Sequence, residues 1–238
     1  MLRFYLPDAL LVGDTIRLPD DLHHHMVTVC RIKQGEQVIL FNGGSDEYVA
    51  RLTTVSRKHS EASIETIQTG LAPSPLHTHL GLGISTGKRF ELALQKAVEL
   101  GVSEITPLIS DKSAHGRDSE KKQAHWQRIV ISACEQCGRC DIPTCHAPSK
   151  LSEWVKHRDE ELHLIASLQQ TPVSLSTLDT PKSLALLIGP ASGFTEPEEQ
   201  IACEHGFQCL SLGPRTLRTE TACFAALSVL QSHWGDLS

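Results

Sequence analysis

Hydrophobic and polar positions follow two different patterns along the chain, and the change falls near residue 72. Before it, short runs rich in β-branched and aromatic residues alternate with turn-forming residues, which is typical of β-strands. The runs cover residues 4–6, 15–18, 37–41, 48–52 and 62–67, and residues 20–29 fit one short helix. We therefore predict a small β-barrel over residues 1–72, with residues 71–75 as its linker to the rest.

From residue 76 onward, candidate strands and helices alternate. The strands are predicted at residues 80–84, 104–109, 161–166, 183–188 and 207–212. The helices are predicted at residues 89–100, 119–136, 151–156, 196–205 and 221–234. This alternation favours an α/β fold with a mostly parallel sheet covered on both faces. Residues 73–238 are therefore predicted to form a second domain, with any ligand bound beyond the carboxyl ends of its strands.

The last predicted helix follows a turn at Gly213 and Pro214, and Gly235 is placed to end it. Its small and apolar residues have the spacing of one helix face; they are Ala222, Ala225, Ala226, Val229, Leu230 and His233. Free backbone amides at the helix start, beside Arg218 and Glu220, could hold a charged or polar ligand. The same pattern also describes an ordinary connection between a strand and a helix.

Composition limits the classes of protein to which the chain can belong. With 238 residues, of which 40% are hydrophobic and 21% charged, it is typical of a soluble globular protein. The longest aliphatic run, residues 184–188, is too short to cross a membrane, and the first residues lack the layout of a signal peptide. We expect a cytoplasmic protein whose eight cysteines are thiols. The net charge of −6 argues against general nucleic-acid binding, so RNA contacts require a local basic patch.

Two motifs suggest other functions. The run from Gly81 to Lys88 is similar to a phosphate-binding loop, but its glycine spacing and the residue after the lysine both differ from that motif. Four cysteines have a spacing compatible with a zinc or iron–sulfur site; they are Cys134, Cys137, Cys140 and Cys145. They fall partly within a helical pattern and lack the glycines of a metal-binding loop, so we predict thiols and no metal. A zinc or iron–sulfur protein is the alternative.

Several segments together resemble one protein family. They are LGPRTLRTETA at residues 212–222, GPASGF at 189–194, Lys88-Arg89 with QKAVELGV at 95–102, the Ala-x-Glu-Gln-x-x-Arg-x-x-Ile-Pro pattern at 133–143, and HMVTVCR at 25–31. The chain thereby resembles the RsmE family, the 16S ribosomal RNA (uracil-N3)-methyltransferases of the SPOUT class. The resemblance covers nearly the whole chain, and its C-terminal segment is the most specific.

The resemblance implies a PUA-like RNA-binding β-barrel at residues 1–72 and, at residues 73–238, a SPOUT α/β domain with a C-terminal trefoil knot. It also implies a homodimer, S-adenosylmethionine as cofactor, and 16S ribosomal RNA within the small ribosomal subunit as the partner. The cofactor-binding residues that it implies are Leu187, Gly189, Gly193, Leu212, Gly213 and Leu217. The RNA-binding residues are Arg3, Arg31, Lys33, Lys88, Arg89 and Arg139.

Two residues of the C-terminal segment are candidates for catalysis. The methyl group of S-adenosylmethionine is already activated, so the protein must position uracil N3 and assist loss of its proton. Arg218 could stabilise negative charge on the uracil oxygens, and Glu220 could orient that arginine or take the proton. Alternatively, both residues only cap and pin the last helix.

The Gly-Pro segment departs from the family pattern. Where the family has Gly-Pro-Glu-Gly-Gly-Phe, this chain has Ala191 and Ser192 in place of the glutamate and one glycine. The change removes a carboxylate and restricts a backbone position at which a positive φ can be required. It keeps open the alternative of a SPOUT-like RNA-binding protein whose catalysis is weakened or lost.

Overall fold

The computed structural model describes residues 1–112, 119–168 and 171–237. These residues belong to two compact units, of which the first combines residues 1–73 with residues 134–142. The second unit combines residues 74–133 with residues 143–238. The division at residue 72 into two domains of different function remains a prediction, and the structure adds that a later segment packs with the first unit.

The first unit contains one five-stranded sheet with the strand order β1-β3-β4-β5-β2. Its strands are β1 (Arg3–Tyr5), β2 (Thr15–Arg17), β3 (Gln37–Phe41), β4 (Asp46–Val55) and β5 (Ser60–Thr69). Strands β1 and β3 are parallel, and the other pairs are antiparallel. The five predicted strands are confirmed, although β4 and β5 extend further than the apolar runs indicated.

A single helix joins β2 to β3, in two parts. Helix α1 (Asp20–His24) continues as a π-helical turn over His25–Val29, so the predicted helix at residues 20–29 is confirmed in extent. Met26 of this turn is fully buried in the core of the first unit, beside Phe4 and Leu40. Burial of this apolar face anchors a short segment that would not be stable as an isolated helix.

The second unit is an α/β structure with the sheet order β12-β10-β11-β6-β7-β8, to which β9 adds beside β7. All strand pairs in it are parallel. The strands are β6 (His77–Gly83), β7 (Glu104–Ile109), β8 (Thr144–Cys145), β9 (Ser149–Lys150), β10 (Leu162–Ala166), β11 (Ser183–Ile188) and β12 (Gln208–Leu210). The helices are α2 (Lys88–Glu99), α3 (Ser119–Cys137), α4 (Leu151–Trp154), α5 (Glu196–Glu204) and α6 (Thr219–Trp234).

The order of predicted strands and helices in this unit is confirmed, with differences at short elements. The helix predicted at residues 151–156 is only four residues of α-helix, followed by a 3-10 turn at Val155–His157. Strands β8 and β9 have two residues each, which is too short for an alternation pattern to reveal. Within the described ranges, no helix has the length and apolar character needed to span a bilayer.

The buried face of α6 is rotated from the one that the spacing predicted. Buried positions include Cys223, Ala226, Leu227, Leu230 and Trp234, whereas Val229 is 44% exposed. Ala222 and Ala225 are only partly buried, and His233 is exposed. The prediction was wrong because α6 carries small or apolar residues on most of its circumference, which blurs the amphipathic signal. Its predicted end at Gly235 is confirmed.

One glycine in the second unit is required by a close backbone approach. At the end of β6, a Cβ added to Gly83 would lie 2.4 Å from the backbone nitrogen of Pro190. Backbone atoms cannot relieve such a clash as the end of a flexible side chain could. Glycine at this position therefore lets the loop after β11 lie directly on β6.

Candidate functional site

A cavity of about 350 Å³ lies at the carboxyl ends of β10, β11 and β12, within the second unit. The loops after β7, β10, β11 and β12 line it, together with Glu199 of α5 and the start of α6. The lining residues are Lys112, Ala166, Ser167, Leu168, Ile188, Gly189, Pro190, Ala191, Ser192, Gly193, Phe194, Glu199, Leu210, Leu212, Arg215, Thr216, Leu217, Thr219 and Ala222. The position is the one at which open parallel sheets bind their ligands, and the volume falls within the range of about 300–1,000 Å³ usual for small-molecule sites.

The hydroxyl of Ser85 joins the elements that surround the cavity. Ser85 follows β6 and is buried, and its Oγ accepts a hydrogen bond of 3.1 Å from the backbone N–H of Ala191. The same Oγ lies 3.5 Å from Oγ1 of Thr219, in the first turn of α6, and 3.5 Å from the carbonyl of Gly83, and its one proton can be donated to either oxygen. One side chain thus contacts the end of β6, the loop at residues 189–194, here called the Gly-Pro loop, and the start of the last helix.

The Gly-Pro loop closes on itself beside this hydroxyl. The N–H of Gly193 donates to the carbonyl of Pro190 at 2.8 Å, and Gly193 has φ of 71°. That backbone conformation favours glycine. Ser192 is not among the described residues with positive φ, so serine at this position imposes no such strain.

Glu198 stabilises the start of α5, which follows the Gly-Pro loop. Its Oε2 accepts hydrogen bonds from the backbone N–H and the hydroxyl of Thr195, at 2.8 and 3.0 Å, which forms the capping box of α5. Its Oε1 accepts the backbone N–H of Asp111 at 2.8 Å. Glu198 is buried, so the carboxylate ties the start of α5 to the loop after β7. The Thr-x-x-Glu spacing was visible in the sequence and could have indicated this role.

One carboxylate lies in the wall of the cavity. Glu199 is 6% exposed, and its Oε2 accepts a hydrogen bond of 2.8 Å from Oγ of Ser167. The opposite walls are largely apolar, with Ile188, Phe194 and Leu217 among them. Glu199 therefore offers a cavity-facing acceptor from α5, in a chain that has alanine where the resemblance leads one to expect glutamate. Sequence reasoning missed it because a glutamate beside a helix start is usually solvated.

The predicted cofactor-binding residues divide into two groups. Gly189, Gly193, Leu212 and Leu217 line the cavity. Leu187 does not, because its side chain is fully buried in the core beside Trp154 and Phe194. Successive side chains of a strand point to opposite faces, so Leu187 belongs to the core while its neighbour Ile188 reaches the cavity. Gly213, with φ of 90°, shapes the turn and does not line the cavity.

The two predicted catalytic residues lie at the start of α6. Arg218 is the N-cap residue and is exposed, with no side-chain hydrogen bond or ion pair to any described residue. Glu220, in the first helical turn, is 9% exposed, and its Oε2 is buried without a hydrogen-bond partner. No ion pair joins the two in the described part of the chain. The prediction that Glu220 orients Arg218 therefore has no counterpart in the geometry.

Two of the predicted RNA-binding arginines serve the interior of the first unit instead. Arg3 forms an ion pair with Glu47 and donates to the carbonyl of Arg139 at 3.1 Å. Arg139 is 6% exposed and pairs with Asp141. Burial acts to raise the pKa of Glu47, but hydrogen bonds from Arg3 and Gln68 outweigh it, so this pKa lies below its ordinary value. These positions correct the expectation that Arg3 and Arg139 present their charges to RNA.

The other predicted RNA-binding residues are exposed. Arg31 and Lys33 follow the π-helical turn in the first unit, where Arg31 has φ of 58°. Lys88 and Arg89 form the first turn of α2 in the second unit. All four side chains are available to a partner, and their contact with RNA stays a prediction.

The cysteines that raised the question of a metal site make separate local contacts. Sγ of Cys134 donates to the carbonyl of Asp141 at 3.6 Å, and Sγ of Cys140 lies 3.4 Å from Glu47. Burial raises the pKa of the Cys134 and Cys145 thiols to about 12. A buried thiol of such high pKa is neutral and unreactive at ordinary pH.

Comparison with known proteins supports the interpretation of the chain as an RNA methyltransferase with a PUA domain. The model of an RNA methyltransferase domain matches residues 72–231, and that of an RNA methyltransferase PUA domain matches residues 18–65. A ribosomal RNA small subunit methyltransferase E of Buchnera aphidicola is 35% identical over 240 residues, which cover 99% of this chain and 98% of the relative. The chain belongs to the RsmE family. The prediction of the family from sequence segments is thereby confirmed.

Solved structures of the RsmE type resemble the chain over its whole length. One is a ribosomal RNA small subunit methyltransferase E from Neisseria gonorrhoeae bound to S-adenosyl methionine, with 41% identity, a TM-score of 0.93 and coverage of 100% of both chains. Another is a methyltransferase from Legionella pneumophila in complex with the same cofactor, with 40% identity, a TM-score of 0.95 and coverage of 99% of both chains.

We expect replacement of Ser85 by alanine to loosen the Gly-Pro loop. The change removes the acceptor of the Ala191 N–H, and a hydrogen bond of this kind contributes about 0.5–1.5 kcal/mol. Amide exchange at Ala191 should become faster, and the free energy of unfolding should fall by about that amount. Ser192→Ala is the matched control, because its exposed hydroxyl donates only to the Lys112 carbonyl at 3.3 Å. Equal exchange rates in the two variants would contradict the role of Ser85.

Proposed function

We propose that this protein methylates N3 of a specific uridine in 16S ribosomal RNA, with S-adenosylmethionine as the methyl donor. The observation that carries the proposal is the cavity at the strand ends, in a chain of the RsmE family whose full-length structural neighbours were solved with that cofactor. The RNA methyltransferase PUA domain matched at residues 18–65 supports RNA as the substrate.

The residues of the cavity fit the proposed cofactor. Apolar side chains such as Leu212 and Leu217 suit a flat adenine ring, and the Glu199 carboxylate suits a hydroxyl or ammonium donor. When bound, S-adenosylmethionine supplies an electrophilic methyl group. The residues of the cavity must hold the cofactor and exclude water from around it.

The RNA side of the reaction requires an unpaired base, because uracil N3 lies on the Watson–Crick edge. We propose that Arg218, exposed between the cavity-lining residues Leu217 and Thr219, binds the uracil oxygens and stabilises the charge that develops as the N3 proton leaves. We assign the proton to Glu220, whose buried Oε2 has no hydrogen-bond partner among the described residues.

A catalytically weakened RNA-binding protein is the alternative, and its basis was the change to Ala191 and Ser192 in the Gly-Pro loop. One hydrogen bond and one backbone conformation favour an active site. Ser85 fixes the Ala191 amide at 3.1 Å, and Ser192 adopts its conformation without positive φ. The loop is thus held without the glutamate and glycine that the family pattern has.

Two finer features of the fold belong to the proposal. We propose that the five-stranded sheet of the first unit closes as a PUA-like barrel that contacts RNA. We also propose that residues 211–218 complete a trefoil knot. In support of the knot, the chain runs from the edge strand β12 past the ends of β10 and β11 to Thr219. Thr219 lies beside Ser85, which follows β6. The described loop at residues 189–194 lies on that course.

We expect Arg218→Ala to lower kcat by about 10²–10³, as when one donor to a developing oxyanion is removed. Arg218→Lys should recover only part of the loss, because lysine keeps the charge without the planar fork. The measurement is single-turnover formation of 3-methyluridine in small ribosomal subunits that lack this modification, by mass spectrometry of nucleosides.

Melting curves separate this role from a structural one. The Arg218 side chain has no recorded partner in the described residues, so both variants should melt like the parent protein. Arg128→Ala, on an exposed part of α3, is the control and should keep full activity. A normal rate in Arg218→Ala would exclude its catalytic role, and absence of 3-methyluridine with the parent protein would overturn the proposed function.

We expect Lys33→Ala to weaken RNA binding and to flatten its salt dependence. Loss of one phosphate contact should change the slope of log K against log salt by about 0.7–0.9. Lys58→Ala is the control, because Lys58 is an equally exposed lysine of the same unit. Fluorescence titrations of both variants with 16S ribosomal RNA fragments measure the slopes, and equal slopes would contradict the assignment of Lys33.

We also propose that the protein is a homodimer that pairs through α6. The strip formed by Ala222, Ala225 and Val229 is small or apolar and not fully buried, which permits close approach of a second copy. Val229→Glu should therefore give a monomer in light scattering, whereas the control Val29→Glu, at a valine 62% exposed in the first unit, should stay dimeric. A parent protein that is monomeric at micromolar concentration would exclude the dimer.

A further inference from the structure

Three metal-ligating side chains converge at the edge of the second sheet opposite the cavity. His79 of β6, Glu104 of β7 and His146 after β8, here called the His–Glu cluster, each offer one ligand atom, and these atoms lie within 4.8 Å of one another. The strand register brings them together, since His79 pairs with Glu104 and Glu104 pairs with Thr144, two residues before His146. His79 and Glu104 lie near the amino ends of β6 and β7, and His146 follows the two-residue strand β8, whereas the cavity lies at the carboxyl ends of β10, β11 and β12.

We propose that the His–Glu cluster binds a divalent transition-metal ion of the zinc class. Two imidazoles and one carboxylate form a donor set that zinc and its neighbours favour over calcium or magnesium. The three side chains line a cleft of about 510 Å³, so the fourth position of the ion would be open to a water molecule. Sequence reasoning predicted no metal and considered cysteines, because these three ligands are separated by tens of residues and share no motif.

The ring of His79 is held by contacts at both of its nitrogens. Nε2 lies 2.8 Å from Oγ1 of Thr106. Nδ1 lies 2.7 Å from Nη1 of Arg158 and 3.1 Å from Oε1 of Glu160, so a metal ion that binds Nδ1 must displace these groups. Ligating histidines are commonly held in this way, with the second ring nitrogen bonded to a neighbouring group. His79 is 6% exposed, and its orientation is therefore fixed.

The charges around the cluster favour a cation. Glu104 and Glu160 both approach Nδ1 of His79, and Glu160 also pairs with Arg158. Oε2 of Glu160 is buried and has no hydrogen-bond partner among the described residues. His77 contacts the second oxygen of Glu104 at 3.4 Å and helps to orient that carboxylate. Asp159 also lines the cleft, so its three carboxylates and one guanidinium carry a net charge of −2 when the imidazoles are neutral, which a divalent ion would offset.

Small side-chain movements suffice to form the site. Nε2 of His146 lies 2.6 Å and Nδ1 of His79 lies 3.8 Å from Oε2 of Glu104. In a tetrahedral zinc site with bonds of about 2.0–2.1 Å, ligand atoms lie about 3.3 Å apart. Arg158 must leave Nδ1 of His79, and it keeps other partners when it does, namely the Trp154 carbonyl at 3.0 Å and Glu160 at 3.2 Å.

Cobalt(II) is the probe that tests the proposal, because its visible spectrum reports ligand type. The full-length protein should bind one Co²⁺, displaceable by Zn²⁺, with a tetrahedral spectrum and no thiolate charge-transfer band. His146→Ala and Glu104→Gln should each weaken Co²⁺ binding. Removal of a group that only orients a metal ligand lowers metal affinity roughly 10–100-fold, so removal of a ligand itself should lower it by at least as much. His125→Ala is the matched control, because this exposed histidine also pairs with a glutamate, Glu91 at 3.0 Å, outside the cluster.

Arg158→Gln gives the test a change of opposite sign. Removal of the guanidinium frees Nδ1 of His79 and removes a positive charge, so this variant should bind Co²⁺ more tightly than the parent protein. Affinity for S-adenosylmethionine should be unchanged in all variants, since the cluster lies at the far edge of the sheet, and this separates the metal site from the proposed function. No stoichiometric binding, unchanged affinity in both ligand variants, or a thiolate band would each overturn the proposal.

Discussion

The contacts of one hydroxyl bring together the elements around the cavity. Ser85 follows β6, and its Oγ accepts the Ala191 amide of the Gly-Pro loop and lies 3.5 Å from Oγ1 of Thr219 at the start of α6. The loop can reach it because Gly83 leaves room for Pro190. A glycine and a hydroxyl, two positions apart at the end of β6, therefore help to fix the positions from which Arg218 and Glu220 project. The cavity exists because three segments distant in sequence are held at one strand end.

The parallel sheet gives the second unit two chemically different edges. At the carboxyl ends of β10, β11 and β12, backbone turns and apolar side chains surround a cavity with one carboxylate, Glu199, among its described lining residues. Near the amino ends of β6 and β7, His79 and Glu104 meet His146 in the His–Glu cluster. Because the strands are parallel, their two kinds of end lie on opposite sides of the sheet, and the two sites are separated by about the length of the strands.

The order of strands and helices was predictable because it depends on local patterning, as the strands at residues 37–41 and 183–188 illustrate. Side-chain environments were less predictable, because they depend on contacts between distant residues. In the sequence Arg3 resembles a free basic residue, but in the fold it pairs with Glu47, which is 44 residues away along the chain. Leu187 and Ile188 are equally apolar, and only the sheet decides which one reaches the cavity. The His–Glu cluster has no local signal at all, since strand register alone assembles it.

The first unit includes a segment from later in the chain, and this affects how the protein can fold during its synthesis. Residues 134–142 pack with residues 1–73, and Oε1 of Glu135 accepts the backbone N–H of Tyr5 at 3.1 Å. The carbonyl of Arg139 accepts a bond from Arg3, and Cys140 lies against Glu47. An N-terminal unit usually completes its folding as soon as it leaves the ribosome. Here Arg3, Tyr5 and Glu47 gain these partners only after residues 134–142 have been made, so the first unit cannot be completed until residues 74–133 of the second unit have also been translated.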